Sequence, residues 1–117
     1  MTEAALKTLI EITAGVTLAV PVGRLDFEAS TGFQQAIEQA IAGAGASAVV
    51  VDCAQLEYVS SAGLRVFLIG ARAAKQANVR FSVCGLVEAV RRVFVVSGFD
   101  KLIVEHPDRA AALAALQ

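Results

Sequence analysis

The chain has 117 residues, 56% of them hydrophobic and 18% charged, with a formal net charge of −1. That composition supports a hydrophobic core and excludes a disordered tail, so one domain over residues 1–117 is expected. The ten basic residues are scattered, with only Arg91 and Arg92 adjacent, which excludes a nucleic-acid binder relying on a basic stripe.

Residues 1–12 carry Glu3, Lys7 and Glu11, unlike a secretion signal. No low-charge apolar run reaches the roughly 20 residues of a membrane span. The expectation is a cytoplasmic chain with no direct membrane insertion. Residues 7–13 alternate as a strand does, Ala14-Gly15 makes a turn, and residues 16–22 form a second strand, together a hairpin. Pro21 removes a ladder donor, which predicts a place near a strand end or edge. Gly23-Arg24-Leu25-Asp26 reads as a connecting loop. A helix begins around Ser30, with Phe33, Ala36, Ile37, Ala40 and Ile41 at core spacing, and Gly43 and Gly45 end it. Gly43-Ala44-Gly45 is not a phosphate loop, because it lacks a third glycine and follows a helix.

Residues 47–52, Ser-Ala-Val-Val-Val-Asp, form a continuous apolar run that suggests a strand covered on both faces. A loop is expected over residues 53–60, then a second helix over residues 61–77 with Leu64, Phe67, Leu68 and Ala71 as its buried stripe. Residues 79–84 read as a fourth strand. Gly85 turns into a third helix containing Val87, Val90, Val93 and Phe94, stopped by Gly98. Residues 102–104 are a last short strand, and Pro107 suits the first turn of a final helix. The order predicts an α/β fold, a mixed sheet of about five strands with a parallel core and about four helices. Carboxyl ends of parallel strands form the working edge of such sheets. That edge makes the Ser60-Ser61 pair and the 23–26 loop neighbours.

Several residue types bear on chemistry. Cys53 and Cys84 each close an apolar run and read as small buried residues. With one histidine, His106, they are too few for a zinc site, and no cofactor is expected. Asp52 ends a strand, but Thr13-Ala14 offers no acidic pair of the receiver type, so Asp52 reads as a loop-bracing acceptor. Arg91-Arg92 reads as a solvated helix face. Without a G-x-S-x-G elbow or a base for its serines, the chain is not expected to be an enzyme.

Ser60-Ser61-Ala62-Gly63-Leu64 is the most informative stretch. Ser61 falls where a helix N-cap is expected, and capping alone is one reading. The other is phosphorylation. A helix N-terminus presents free N–H groups and the positive end of a dipole, so a phosphoserine there adds charge without unfolding the helix. Gly63 would let a partner's backbone come close. Arg65, Ile69, Arg72 and Gln76 share the helix face opposite the core stripe, with Ile69 either a docking contact or a scattered apolar residue.

Residues 49–103 resemble the STAS domain, as in bacterial anti-sigma-factor antagonists. Gly23-Arg24-Leu25-Asp26 looks like that family's G-x-L-D. The Cys84-Gly85 turn, Arg91-Arg92-Val93-Phe94 and Ser97-Gly98-Phe99 look like its later landmarks. The likeness spans residues 9–116. In the family pattern Asp-Ser-Ser-Gly, the first serine is the phosphoacceptor. Aligning its glycine with Gly63 places Ser61 there, with Ser60 in place of the Asp and Ala62 in place of the second serine. Ser60 is a reserve acceptor. Asp26 matches an aspartate of the partner-facing surface, or caps the turn before the first helix. The resemblance implies partner binding through Gly23, Arg24, Asp26, Ser60, Ser61, Gly63, Leu64, Arg65 and Ile69. The implied partners are an anti-sigma serine kinase, which binds the ATP, and a serine phosphatase. Some STAS domains instead serve as constitutive adaptors beside lipid-transport ABC systems or in stress-signalling complexes.

Overall fold

A computed structural model describes residues 6–43 and 47–116. Strand β1 (Leu6–Thr13) and strand β2 (Val16–Leu25) pair antiparallel without a register break. Ala14 (φ 53°) and Gly15 (φ 78°) form the two-residue turn between them, both left-handed as a type I′ hairpin requires. Helix α1 (Ser30–Ala42) follows, then β3 (Ala48–Asp52), β4 (Leu56–Val59) and helix α2 (Ser61–Gln76). After these come β5 (Arg80–Cys84), helix α3 (Glu88–Val96), a 3₁₀ turn (Phe99–Lys101), β6 (Val104–His106) and helix α4 (Arg109–Ala115).

The sheet runs β1-β2-β3-β5-β6, with β4 paired to the far end of β2. Every pairing beyond the hairpin is parallel. The expected α/β architecture is present, with six strands among the described residues. The additional strand is β4, inside the stretch read as a loop. It hides from periodicity because only Leu56 and Val59 of its four residues are buried. It also lengthens β2: Gly23, Arg24 and Leu25 are strand residues paired with Leu56, Tyr58 and Val59, so the 23–26 segment is a loop only from Asp26 onward.

Pro21 is mid-strand rather than at an end. Ala19 is the last β2 residue paired with β3, and Gly23 is the first paired with β4. Gly23 N–H donates to Gln55 O at 3.0 Å. Backbone groups alternate in direction along a strand, so the Pro21 nitrogen faces the gap between the two partners, where no donor is needed.

β3 is buried throughout because both faces of the sheet are covered. Val49 and Val51 join the core under α1, α2 and α3, while Ala48 and Val50 join a second cluster under Ala112 and Leu113 of α4. Four phenylalanines bind the first layer together. Phe33–Phe67, Phe67–Phe94 and Phe94–Phe99 have ring centroids 5.4, 5.1 and 5.9 Å apart, the last two edge-on. Each such pair contributes about 0.5–1.5 kcal/mol beyond its buried area. Phe67 sits at the centre of this chain, so α2 is held from both sides.

Other expectations shift by small amounts. The buried stripe of α2 is Leu64, Val66, Phe67, Gly70 and Ala74, whereas Leu68 and Ala71 are half-buried. Gly70 is what rotates it. A Cβ there would lie 2.9 Å from Ile37 Cγ2, so α1 approaches α2 over the glycine. The last strand falls two residues later than residues 102–104, because the 3₁₀ turn takes up the chain after Gly98. α4 begins at Arg109 with Asp108 as its cap, so Pro107 precedes the helix instead of opening it. Gly43 ends α1 as expected, and Gly45 lies outside the described residues. Among the described residues no helix is long and apolar enough to cross a membrane.

Candidate functional site

The mouth of α2 is assembled on the end of β2. β4 carries the chain alongside Leu25, and Ser60 N–H then donates to Leu25 O at 2.8 Å. Ser60 has extended backbone (φ −82°, ψ 169°). Its Oγ accepts from Gly63 N–H at 3.1 Å, and its carbonyl accepts from Leu64 N–H at 2.8 Å. Ser60 is therefore the N-cap, one residue earlier than expected. Spacing alone leaves both serines within reach of the Gly63 amide, since a cap oxygen reaches the amide two or three residues on. The bond from Ser60 N–H to Leu25 O is what turns Ser60 inward.

This shift frees Ser61. It is the first helical residue, exposed, with its hydroxyl outside the cap. Gly63 is buried, and a Cβ on it would lie 2.5 Å from Leu25 Cγ and 3.0 Å from Leu25 O. The close backbone approach foreseen for a partner at Gly63 is made by the chain's own β2. Leu64 is only 8% exposed and belongs to the core. Both position the site from beneath.

The exposed part of the surface comes from three segments. From β2, the Arg24 guanidinium stacks over the ring of Tyr58 on β4, 4.3 Å from its centroid, a cation–π contact. From the β2–α1 turn, Asp26 Oδ1 accepts from Ala29 N–H at 2.8 Å, so this carboxylate braces the turn while remaining half-exposed. Phe27 follows and is 76% exposed. From α2, Ser61 and Arg65 are exposed, Ile69 is half-buried and Arg72 is exposed. Ser61 and Arg65 stand four residues apart and so share a face. The structure thus brings the 23–26 segment and the serine pair together, as the carboxyl-edge argument expected.

Neither Tyr58 nor Phe27 stands out in the sequence. Tyr58 sits in the unrecognised strand, and the alternation that would reveal it is only four residues long. The isolated Phe27 beside Asp26 was the available signal for the other.

Several other polar residues have structural partners. Asp52 braces its loop, accepting from Ala54 N–H at Oδ1 (3.1 Å) and from Arg109 Nε at Oδ2 (2.9 Å). Arg109 also contacts both carboxylate oxygens of Glu11, at 3.3 and 3.4 Å, so α4 is tied to β1 and β3 together. Its guanidinium pKa is raised, first by the Asp52 hydrogen bond. Arg91 pairs with Glu105 and Arg92 with Glu88 on an exposed helix face. Cys53 and Cys84 are free and buried. Burial, followed by the Asp52 charge, pushes the Cys84 thiol up to about 12, and burial raises Cys53 as well. Among the described residues no three His, Cys, Asp or Glu side chains gather as a metal site would need.

Comparison with known proteins matches residues 13–105 to the family described as Mlab, STAS domain. The chain belongs to the STAS family. This STAS domain is 41% identical over 73 residues to BtrV of Bordetella bronchiseptica, which carries the name of an anti-sigma factor antagonist. That match covers 62% of the chain and 63% of BtrV, less than two thirds of the relative's length. An anti-sigma factor antagonist from Mycobacterium paratuberculosis superposes with a TM-score of 0.86 at 27% identity, covering 94% of the STAS domain and 92% of that protein. SpoIIAA of Bacillus shares the fold in both its forms. Unphosphorylated, it has a TM-score of 0.79 at 20% identity, covering 94% of the STAS domain and 96% of SpoIIAA. Phosphorylated, it has a TM-score of 0.72 at 19% identity, covering 95% and 100%.

Proposed function

We propose that this STAS domain is a cytoplasmic anti-sigma-factor antagonist without catalysis of its own, and that phosphorylation of Ser61 switches its docking. The unphosphorylated mouth of α2 binds an anti-sigma serine kinase, which brings the ATP, and a serine phosphatase resets the modified form. The observation that carries this reading is the division of labour between the two serines. Ser60 holds the cap with its Oγ, and Ser61 stands exposed beside it with its hydroxyl unused by the cap.

The physics of the switch is local. The Ser61 and Ala62 amides lie in the first turn, where no intrahelical acceptor precedes them. A phosphate on Ser61 can sit against these amides and the positive end of the α2 dipole, with Arg65 one turn along. The helix therefore survives modification, while a partner that had closed over the site meets roughly two negative charges. Gly23, Arg24, Asp26, Ser60, Arg65 and Ile69 frame this surface, joined by Tyr58 and Phe27, whereas Gly63 and Leu64 act through the packing of the mouth.

Incubation with a cognate kinase and ATP, followed by mass spectrometry, tests the acceptor. The phosphate is expected on Ser61, and modification confined to another residue would contradict the reading. A second reading, a constitutive adaptor of a lipid-transport ABC system or a stress-signalling complex, is favoured by Ser60 standing where the family pattern has Asp. Recovery of a transporter ATPase and no kinase in a pull-down would select it.

A further inference from the structure

The edge strand β1 is long, regular and unguarded. It is eight residues in length and pairs only with β2 among the described residues. It has no proline and no bulge, and it carries charge only at Lys7 and Glu11. Leu9, Ile10 and Ile12 are 40%, 49% and 76% exposed. Edge strands of this kind are templates for pairing, and proteins ordinarily blunt them with proline, bulges, added charge or shortness. The opposite edge, β6, has only three residues.

The hairpin fixes which backbone groups point outward. In a two-residue turn the flanking residues, Thr13 and Val16, form a hydrogen-bonded pair, so residues 7, 9 and 11 bond inward to β2. The N–H and C=O groups of Leu6, Thr8, Ile10 and Ile12 face away from it.

We propose that two copies of this chain pair antiparallel through β1, about a two-fold axis at Leu9. In this register Thr8 opposes the second copy's Ile10, and their outward backbone groups bond. Lys7 opposes the second copy's Glu11, twice by symmetry, sharing that carboxylate with the Arg109 of Glu11's own copy, and Leu9 opposes Leu9. Leu6 opposes Ile12. Shifting the axis to Ile10 sets Leu9 against Glu11, and shifting it to Thr8 sets Lys7 against Leu9, so both alternatives leave charges facing apolar side chains. Only the Leu9-centred register is complementary in charge and hydrophobicity along the strand. An isologous contact closes at two copies, and β4 and β6, four and three residues long, offer no comparable edge for an open filament among the described residues. The contact is small by the standard of stable dimers, so the association is expected at micromolar concentration or weaker.

Cysteine crosslinking reads the register. Leu9 would face its twin in a non-hydrogen-bonded pair, with Cα atoms about 4.5 Å apart, within disulfide reach. Mild oxidation of Leu9→Cys should give a covalent dimer. Lys7→Cys or Glu11→Cys alone should give little, and an equal mixture of the two should give a heterodimer. Cys53 and Cys84 are 0% exposed and stay out of the reaction. Sedimentation of the unmodified chain should show reversible dimers, and Lys7→Glu should weaken them about tenfold by setting like charges opposite each other. A wholly monomeric chain up to about 0.5 mM, a range that would reveal even a weak contact, would overturn the proposal. So would crosslinking no more efficient at position 9 than at position 7.

Discussion

Replacing Ser60 with alanine removes the only side-chain cap on α2. The lost contact is the 3.1 Å bond from Gly63 N–H to Ser60 Oγ. Gly63 is buried against Leu25, so its amide is poorly placed to recover a water in exchange. Loss of a serine cap costs about 1 kcal/mol, with a range of about 0.5–2. For a chain of 117 residues, unfolding entropy of about 2.1 cal/mol/K per residue converts 1 kcal/mol into a fall of about 4 °C in Tm. Ser61→Ala removes an exposed hydroxyl from the first helical position and should change Tm by less than about 2 °C, as surface substitutions usually do. Ser60→Asp keeps a cap oxygen and adds a charge favourable to the dipole, so it should match or exceed the parent protein. Thermal unfolding of the three variants by circular dichroism, with urea titration to check the slope, separates them. If Ser61→Ala cost as much as Ser60→Ala, the assignment of Ser60 as cap and Ser61 as free acceptor would be refuted.

Three further outcomes follow from the packing. Gly63→Ala should destabilise by about 1–3 kcal/mol despite alanine's better helix propensity, because its Cβ meets both the side chain and the carbonyl of Leu25. Urea unfolding showing equal or greater stability would contradict that close approach. Arg109→Ala leaves the nearly buried Asp52 carboxylate without its charged partner and should cost about 1.5–3 kcal/mol. Hydrogen exchange should quicken in α4 before the rest of the sheet, and uniform protection would refute the clamp. The Cys84 thiol is held neutral in the fold up to about 12, whereas the unfolded thiol ionises near 9. Above pH 9 the unfolded state therefore binds fewer protons, and stability falls as pH rises toward 12. Cys84→Ala should make that fall shallower, and an unchanged pH slope would count against it.

The sequence made the layered architecture readable because its signals there are long. The apolar run ending at Asp52 and the helical spacing of Phe33, Ile37 and Ile41 each fill a whole element, and both are buried as expected. Residues where two elements meet were harder to read. Whether Gly23–Leu25 is loop or strand depends on β4, and β4 is a strand mainly because β2 is there to pair with it. The same contact decides the cap. Ser60 and Ser61 are equivalent candidates by residue type, and only the bond from Ser60 N–H to Leu25 O fixes which one turns inward. By residue type Gly63 suggests an opening for a partner, yet its missing side chain serves Leu25 instead. Tyr58 acquires its role from Arg24, thirty-four residues earlier, and no local pattern encodes that stacking.

In the proposed switch, charge on Ser61 controls docking at the mouth of α2. Its most direct test is calorimetric titration of an anti-sigma kinase partner with the unmodified chain and with the chain phosphorylated on Ser61. Phosphorylation is expected to weaken binding about a hundredfold, equivalent to about 2.7 kcal/mol, with the fold unchanged. Equal affinity of the two forms would contradict it.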